Sequence, residues 1–289
     1  MDQKTRFLLT LALIFVGLGL ALIFQTQSLG KLRIIACDVG QGDGLLVITP
    51  GGRDVVIDGG PGSKIIDCLS QKMPFWDRSI DLMVVTHPQK DHMAGLLEVL
   101  ARYKVKMIAT TQVKNDTELF RAWQEATKNE GAKIYIPNID DRLMLETLNL
   151  QVLWPGRGQI DQWGKSQPKD LNETSIVLRL EYGNFCAYLT GDIPKEIFVS
   201  LTLQGVPLQS CQVLKVAHHG SKTGTNQEII DLVKPAIAVI QVGKNSFGHP
   251  HKEVTDLLQS KGVKILRNDT NGIIEVESDG RSFKVKSEK

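Results

Sequence analysis

The sequence predicts a mixed α/β sandwich behind one N-terminal membrane-spanning helix, and three observations carry that prediction. An apolar run fills residues 7–24. Beyond it, hairpin-like strand patterns give way to alternating strand and helix patterns, which a helical bundle does not show. Acidic residues and histidines collect where apolar strand patterns end, and in sheets of this kind the loops past the carboxyl ends of strands line the crevice that binds ligands.

The N-terminal run reads FLLTLALIFVGLGLALIF, 18 residues broken by a single Thr, or about 27 Å of helix, just enough to span. Lys4 and Arg6 precede it, so the positive-inside rule keeps the N-terminus in the cytoplasm and puts everything after Gln25 outside. The run exceeds a usual signal-peptide core and no A-x-A-like cleavage site follows it, which favours an uncleaved anchor. Its lack of a polar face argues against a buried core helix. The expected organisation is a membrane anchor and short linker over residues 1–30 and one domain over residues 31–289, held at the cell membrane by a single pass and lying outside the cytoplasm.

With 289 residues and 42% apolar side chains the chain can bury a sizeable core. Its 34 Lys and Arg against 32 Asp and Glu leave a net charge of +2, which excludes a tail-type polyanion binder and confines any nucleic-acid contact to a local site. Strands are expected at residues 32–37, 45–48, 54–57, 80–85, 106–109, 176–180, 185–189, 211–216, 237–242 and 273–276. Helices are expected at 65–71, 91–103, 117–129, 194–203, 227–233 and 252–259. The polar, Gly- and Pro-interrupted stretch 155–172 is expected as a surface loop. Cys37, Cys68, Cys186 and Cys211 show no zinc-ribbon spacing; the three in apolar strand patterns, Cys37, Cys186 and Cys211, are expected as buried thiols, with one or two disulfides open to an extracytoplasmic domain in any of three pairings.

The chemistry gathers at five strand ends: VIDGG at Asp58, THPQKDH at His87 to His92, LTGD at Asp192, KVAHHGS at His218 to Ser221, and FGHPH at His249 and His251. All six histidines of the chain lie in three of these stretches. Singly each residue suits a bland role: Asp91 at a helix start, or the aspartates of DGG and TGD in turns. Together they supply the carboxylate oxygens and imidazole nitrogens that Zn²⁺ or Mn²⁺ accepts. Pro88 disfavours helix at His87 and leaves Asp91 and His92 at the start of the next one. The turn Gly220-Ser221-Lys222-Thr223 offers a hydroxyl, an ammonium and backbone N–H groups to a phosphate, and Ser221 and Lys222 are the expected substrate contacts.

The motifs DVGQGD (residues 38–43), VIDGG, THPQKDHMAGL, NETSIVL, YLTGD, LKVAHHGSKTG and FGHPH run in this order through residues 38–251. The set resembles the metallo-β-lactamase superfamily and, within it, the nuclease-like domain of ComEC-type DNA-uptake proteins. The resemblance implies an αββα sandwich holding one or two divalent ions. His87 would serve one ion and Asp91 and His92 the second, Asp192 would bridge, and His218 or His219 would complete the set. Asp58 would orient a water or a ligating histidine, and His249 would contact substrate or protonate the leaving oxygen. Asp38, Gln41 and Asp43 are expected to build a tight loop beside the site rather than to touch the metal. Gln89 stands where the pattern has a second His or an Asp, and no His occurs between His92 and His218; both departures bear on the number of ions.

The expected function is a metal-dependent hydrolase, a nuclease acting on extracellular DNA, with a separate channel protein as its partner in uptake. Two rivals stand beside it: a small-molecule hydrolase of β-lactamase or lactonase type, and a metal-poor DNA-binding or assembly module without turnover.

Overall fold

In a computed structural model, which describes residues 2–28, 30–111 and 113–289, each half of the sequence builds one β-sheet. The first half supplies β1 (Leu32–Ala36), β2 (Leu45–Ile48), β3 (Asp54–Ile57), β4 (Ser79–Ile80), β5 (Leu82–Val85), β6 (Lys104–Val105), β7 (Met107–Thr110) and β8 (Lys133–Tyr135). The second supplies β9 (Arg142–Leu145), β10 (Leu148–Trp154), β11 (Val177–Tyr182), β12 (Phe185–Leu189), β13 (Val213–Lys215), β14 (Ile237–Ile240) and β15 (Lys264–Arg267). A last hairpin, β16 (Ile274–Ser278) and β17 (Phe283–Ser287), returns to the first sheet. The resulting orders are β17-β16-β1-β2-β3-β5-β7-β8 and β15-β14-β13-β12-β11-β10-β9, with β4 and β6 paired apart.

Strand alternation sets the layers. In β1 to β5, Ile34, Val47, Val55, Ile57, Leu82 and Val84 face the second sheet and meet Leu150, Leu178, Ala187, Val213 and Ile237. Their neighbours Ile35, Leu46, Val56 and Met83 point the other way, as a period of two requires. That outer face is covered by α2 (Lys64–Lys72), α3 (Lys90–Leu100) and α4 (Glu118–Glu130) through Ile65, Leu69, Met93, Leu96, Val99 and Trp123. Past α5 (Arg157–Trp163), the helices α6 (Lys195–Leu203), α7 (Gln227–Val233) and α8 (Lys252–Ser260) cover the second sheet through Phe198, Leu201, Ile229, Val233, Val254 and Leu258. Helix, sheet, sheet and helix follow one another. Caps begin two of these helices: Thr117 Oγ1 accepts from Phe120 N at 3.2 Å, and Asn226 Oδ1 from Ile229 N at 3.0 Å.

Three expectations change. The stretch 155–172 contains α5 and part of a 3₁₀ turn at Leu171–Thr174; Ile160 is buried there and Trp154 Nε1 donates to Glu173 O at 2.7 Å, which ties the segment down. The cysteines are not thiols: Cys37 is bonded to Cys68 and Cys186 to Cys211. The N-terminal segment is a helix, α1 (Gln3–Ser28), whose Phe7, Leu13 and Phe15 stand exposed. Among the described residues no helix is long and apolar enough to cross a membrane, so the structure gives the expected span no support; the side chains of residues 18–29, which include the second half of that run, lie outside the described residues.

Candidate metal centre

The carboxyl ends of β3, β5, β12, β13 and β14 open at one edge of the sandwich, and each delivers a polar side chain there. Asp58 follows β3, Thr86 and His87 follow β5, and Asp91 and His92 lie in the first turn of α3. Asp192 follows β12, and His218 and His219 follow β13. Among the described residues six non-glycines have positive φ, and three of them stand here: Asp58 at 57° and His218 and His219 at 53°. Such backbone costs energy and persists where the surroundings enforce it. Close glycine packing is part of that enforcement, because a Cβ on Gly95 of α3 would lie 1.9 Å from Gly59 O. The DGG and MAGL motifs therefore press α3 onto the loop that carries Asp58.

Four donor atoms converge. His92 Nε2 lies 3.2 Å and His219 Nε2 3.3 Å from Asp192 Oδ2. Asp91 Oδ2 lies 3.4 Å from His219 Nε2 and 4.0 Å from His92 Nε2. One donor atom from each of these residues fits within 4.8 Å of all the others. His92, Asp192 and His219 are buried, while the Asp91 side chain is 31% exposed and faces outward. The two Nε2 atoms are buried and have no hydrogen-bond partner, a costly arrangement for a protein without a ligand at that point. Two imidazoles and two carboxylates are the donor set of a divalent ion such as Zn²⁺ or Mn²⁺, and the residues fit one.

The layer beneath fixes the orientation of these donors. His92 Nδ1 donates to Asp58 Oδ2 at 2.8 Å and His219 Nδ1 to Gln241 O at 2.9 Å, so that each Nε2 presents its lone pair to the centre. Asp58 in turn accepts from Thr86 N at 2.8 Å and Thr86 Oγ1 at 2.6 Å. Burial opposes charge on His92, but Asp192 and Asp58 outweigh it and hold its pKa well above the usual imidazole range. Burial likewise opposes ionisation of Asp91, and His219 and His92 outweigh it, holding that carboxyl well below its usual range. The pocket thus attracts positive charge, whether as protons or as a metal ion.

All six histidines meet in one file of rings: His87 to His92 at 4.1 Å, His92 to His219 at 5.4 Å, His219 to His218 at 6.1 Å, His218 to His249 at 5.4 Å and His249 to His251 at 5.0 Å. They are not equivalent. His87 lies outside the group of four; its Nδ1 sits 3.0 Å from Thr86 Oγ1 and 3.3 Å from Ser175 Oγ, and its Nε2 is buried without a partner. Burial and the neighbouring His92 push its pKa down to about 3. His218 stands farther off, with Nε2 4.0 Å from Asp192 Oδ2 and Nδ1 3.2 Å from Thr223 Oγ1. Of the HHG pair it is therefore His219 that joins the four. His249 lines the cleft above them with Gln41, Gln89 and Phe247.

Ser221 and Lys222 do not line that cleft. The Ser221 hydroxyl is buried against Thr223 Oγ1 at 2.9 Å, and Lys222 N donates to His251 Nδ1 at 3.2 Å. The sequence reading missed Lys215 and underrated Asp43. Lys215 Nζ donates to Gly191 O at 2.7 Å, pairs with Asp43 Oδ2 and lies 3.5 Å from Asp192 Oδ1. Asp43 Oδ1 lies 3.3 Å from His219 Nδ1. The signal for Lys215 was a charged residue inside the apolar run CQVLKVA, since a lysine in a buried strand requires a buried partner.

Known proteins resemble this chain to different depths. The chain is 31% identical over 278 residues to ComE operon protein 3 of Bacillus subtilis strain 168, covering 88% of this chain and 34% of that protein. It is 24% identical over 265 residues to Recombination protein 2 of Haemophilus influenzae, covering 88% of this chain and 30% of that one. The chain spans about a third of the length of these relatives. Among solved structures, the metallo-β-lactamase fold protein YhfI from Bacillus subtilis superposes with a TM-score of 0.53 over 84% of this chain and 99% of that one, at 13% identity, which speaks to fold alone. No protein-family model matches the chain. The two-sheet sandwich with its polar edge and the sequence match lead to one conclusion: the chain has the metallo-β-lactamase fold and is similar in sequence to the ComEC-type competence proteins.

Proposed function

We propose that this chain is a metal-dependent phosphodiesterase that cleaves DNA outside the cytoplasm, tethered to the membrane through its N-terminal helix. The observation that carries the reading is the convergence of Asp91, His92, Asp192 and His219 at the floor of a cleft of about 430 Å³. A divalent ion held by these four would supply Lewis acidity to a phosphoryl oxygen and lower the pKa of a bound water. The chain's own residues do the rest: Asp58 and Gln241 lock the two imidazoles, Lys90 at the rim draws a phosphate in, and His249 and Gln89 orient it. The relatives' names, a ComE operon protein and a recombination protein, favour DNA over a lactam as the substrate; in uptake the partner would be a separate channel protein.

The test uses the purified full-length chain in detergent. Fluorescent single- and double-stranded DNA and a chromogenic lactam are each incubated with Mn²⁺, Zn²⁺ or Mg²⁺, with and without chelator. Metal-dependent DNA cleavage that Asp192→Ala abolishes supports the reading. Turnover of the lactam alone transfers the site to small-molecule hydrolysis, and DNA binding without turnover makes the chain a binding module.

A further inference from the structure

Lys215 is a buried cation in the middle of the centre, and nothing in the proposed reaction uses it. It stands at the end of β13 with 2% of its side chain exposed, and it meets carboxylates on two sides, Asp43 Oδ2 and Asp192 Oδ1. Asp192 is consequently divided. Its Oδ2 faces His92 and His219, and its Oδ1 faces the ammonium. A carboxylate that bridges two metal ions must give one oxygen to each, and here the second oxygen already has a cation beside it.

The surroundings agree with that division. On the side where a second ion would sit, His87 offers a single Nε2 and lies outside the group of four. Gln89, lining the same cleft, offers a neutral amide oxygen, a weaker donor than imidazole or carboxylate. The other acidic group, Asp43, Asp58 and His92, is wholly buried; Asp43 Oδ2 is taken by Lys215 and both Asp58 oxygens by Thr86 and His92 Nδ1, which leaves Asp43 Oδ1 as its one carboxylate oxygen without a hydrogen bond. The geometry points to a mononuclear centre in which the Lys215 ammonium replaces the second metal ion, neutralising Asp43 and the inner oxygen of Asp192 and so leaving Asp192 Oδ2 alone to the single ion. Lys215 lies beneath the cleft rather than in it, and it acts on the ion through its charge.

The inference rests on the proposed metal centre but not on its substrate, and its test reads metal rather than turnover. The full-length chain is titrated with Mn²⁺ by calorimetry and followed by electron paramagnetic resonance. The expected result is one ion per chain with an uncoupled six-line spectrum. Lys215→Met removes a like charge beside the ion, so Mn²⁺ should bind about tenfold more tightly or a second ion should enter, and Lys215→Arg should restore single, weaker binding. A merely structural lysine predicts the opposite sign, weaker binding in Lys215→Met. Two coupled ions in the wild type, no ion at all, or weaker binding in a folded Lys215→Met overturn the inference; if that variant does not fold, the wild-type spectrum decides. One ion without turnover of any substrate would overturn the hydrolase reading and leave this one standing.

Discussion

His92 donates its Nδ1 hydrogen to Asp58 Oδ2 across 2.8 Å, and both side chains are buried. The bond selects the tautomer that offers Nε2 to the centre. Asp58→Asn keeps the shape but weakens that selection, because an amide presents its oxygen or its NH₂ with no net charge. Metal affinity, measured by competition with a chelator, should fall by roughly 10- to 100-fold while the fold is retained. An unchanged affinity would remove Asp58 from the supporting layer.

The HHG pair separates by the same measurement. His219→Ala deletes one of four converging donors and should cost the chain its ion at micromolar metal. His218→Ala should leave affinity within about threefold, because His218 Nε2 is 4.0 Å from the nearest donor and its side chain is partly exposed. Equal losses from the two substitutions would show that both bind.

Metal should also stabilise the sandwich. Asp91 and His92 come from the half of the chain that builds the first sheet, Asp192 and His219 from the half that builds the second. At 100 times its Kd an ion that binds only the folded state contributes about 2.7 kcal/mol, or roughly 5 °C in Tm at this chain length. Differential scanning calorimetry with and without chelator measures it. Asp192→Ala should abolish the difference.

At the opposite end of β3, Asp54 sets a pH dependence of its own. Burial, then the nearby Asp77 and Asp81, raise its pKa to about 7. The folded state therefore binds a proton that the unfolded chain releases near pH 4. The stabilisation is complete below that pH and is lost as pH rises through about 7. Asp54→Asn should accordingly stabilise the protein at pH 8, by at most about 4 kcal/mol, and the gain should vanish near pH 4. Urea unfolding at the two pH values checks the sign.

Most of the sandwich was legible in the sequence, and four of the strands that were not share a physical reason. β8, β9, β15 and β17 are the outermost strands of the two sheets, and each carries Lys or Arg. Charged residues keep exposed strand edges from pairing with other chains, and they also break the apolar patterns by which strands are found. β10 was missed although it lies inside the second sheet and its Leu148-Asn149-Leu150-Gln151-Val152 alternates apolar and polar residues as a half-buried strand does. Both polar residues are buried against partners on β11: Asn149 Nδ2 donates to Glu181 Oε2 at 2.7 Å, and Arg179 Nη2 to Gln151 Oε1 at 2.6 Å. At the site, side chains at strand ends announced themselves. The pairing of Lys215 with Asp43 did not, since a salt bridge between residues 172 positions apart leaves no mark on local spacing.

The return of the final hairpin to the first sheet carries a consequence for biosynthesis. β1 pairs with β16 from Leu32 opposite Ser278 to Ala36 opposite Ile274, and Arg33 Nε reaches Glu275 Oε1 at 2.6 Å. On the ribosome, one flank of β1 must stay unpaired until β16, about 240 residues downstream, has emerged. A nascent or prematurely terminated chain ending near residue 270 would display that flank as an open template for other strands. Completion of the first sheet therefore waits until every strand of the second has been made.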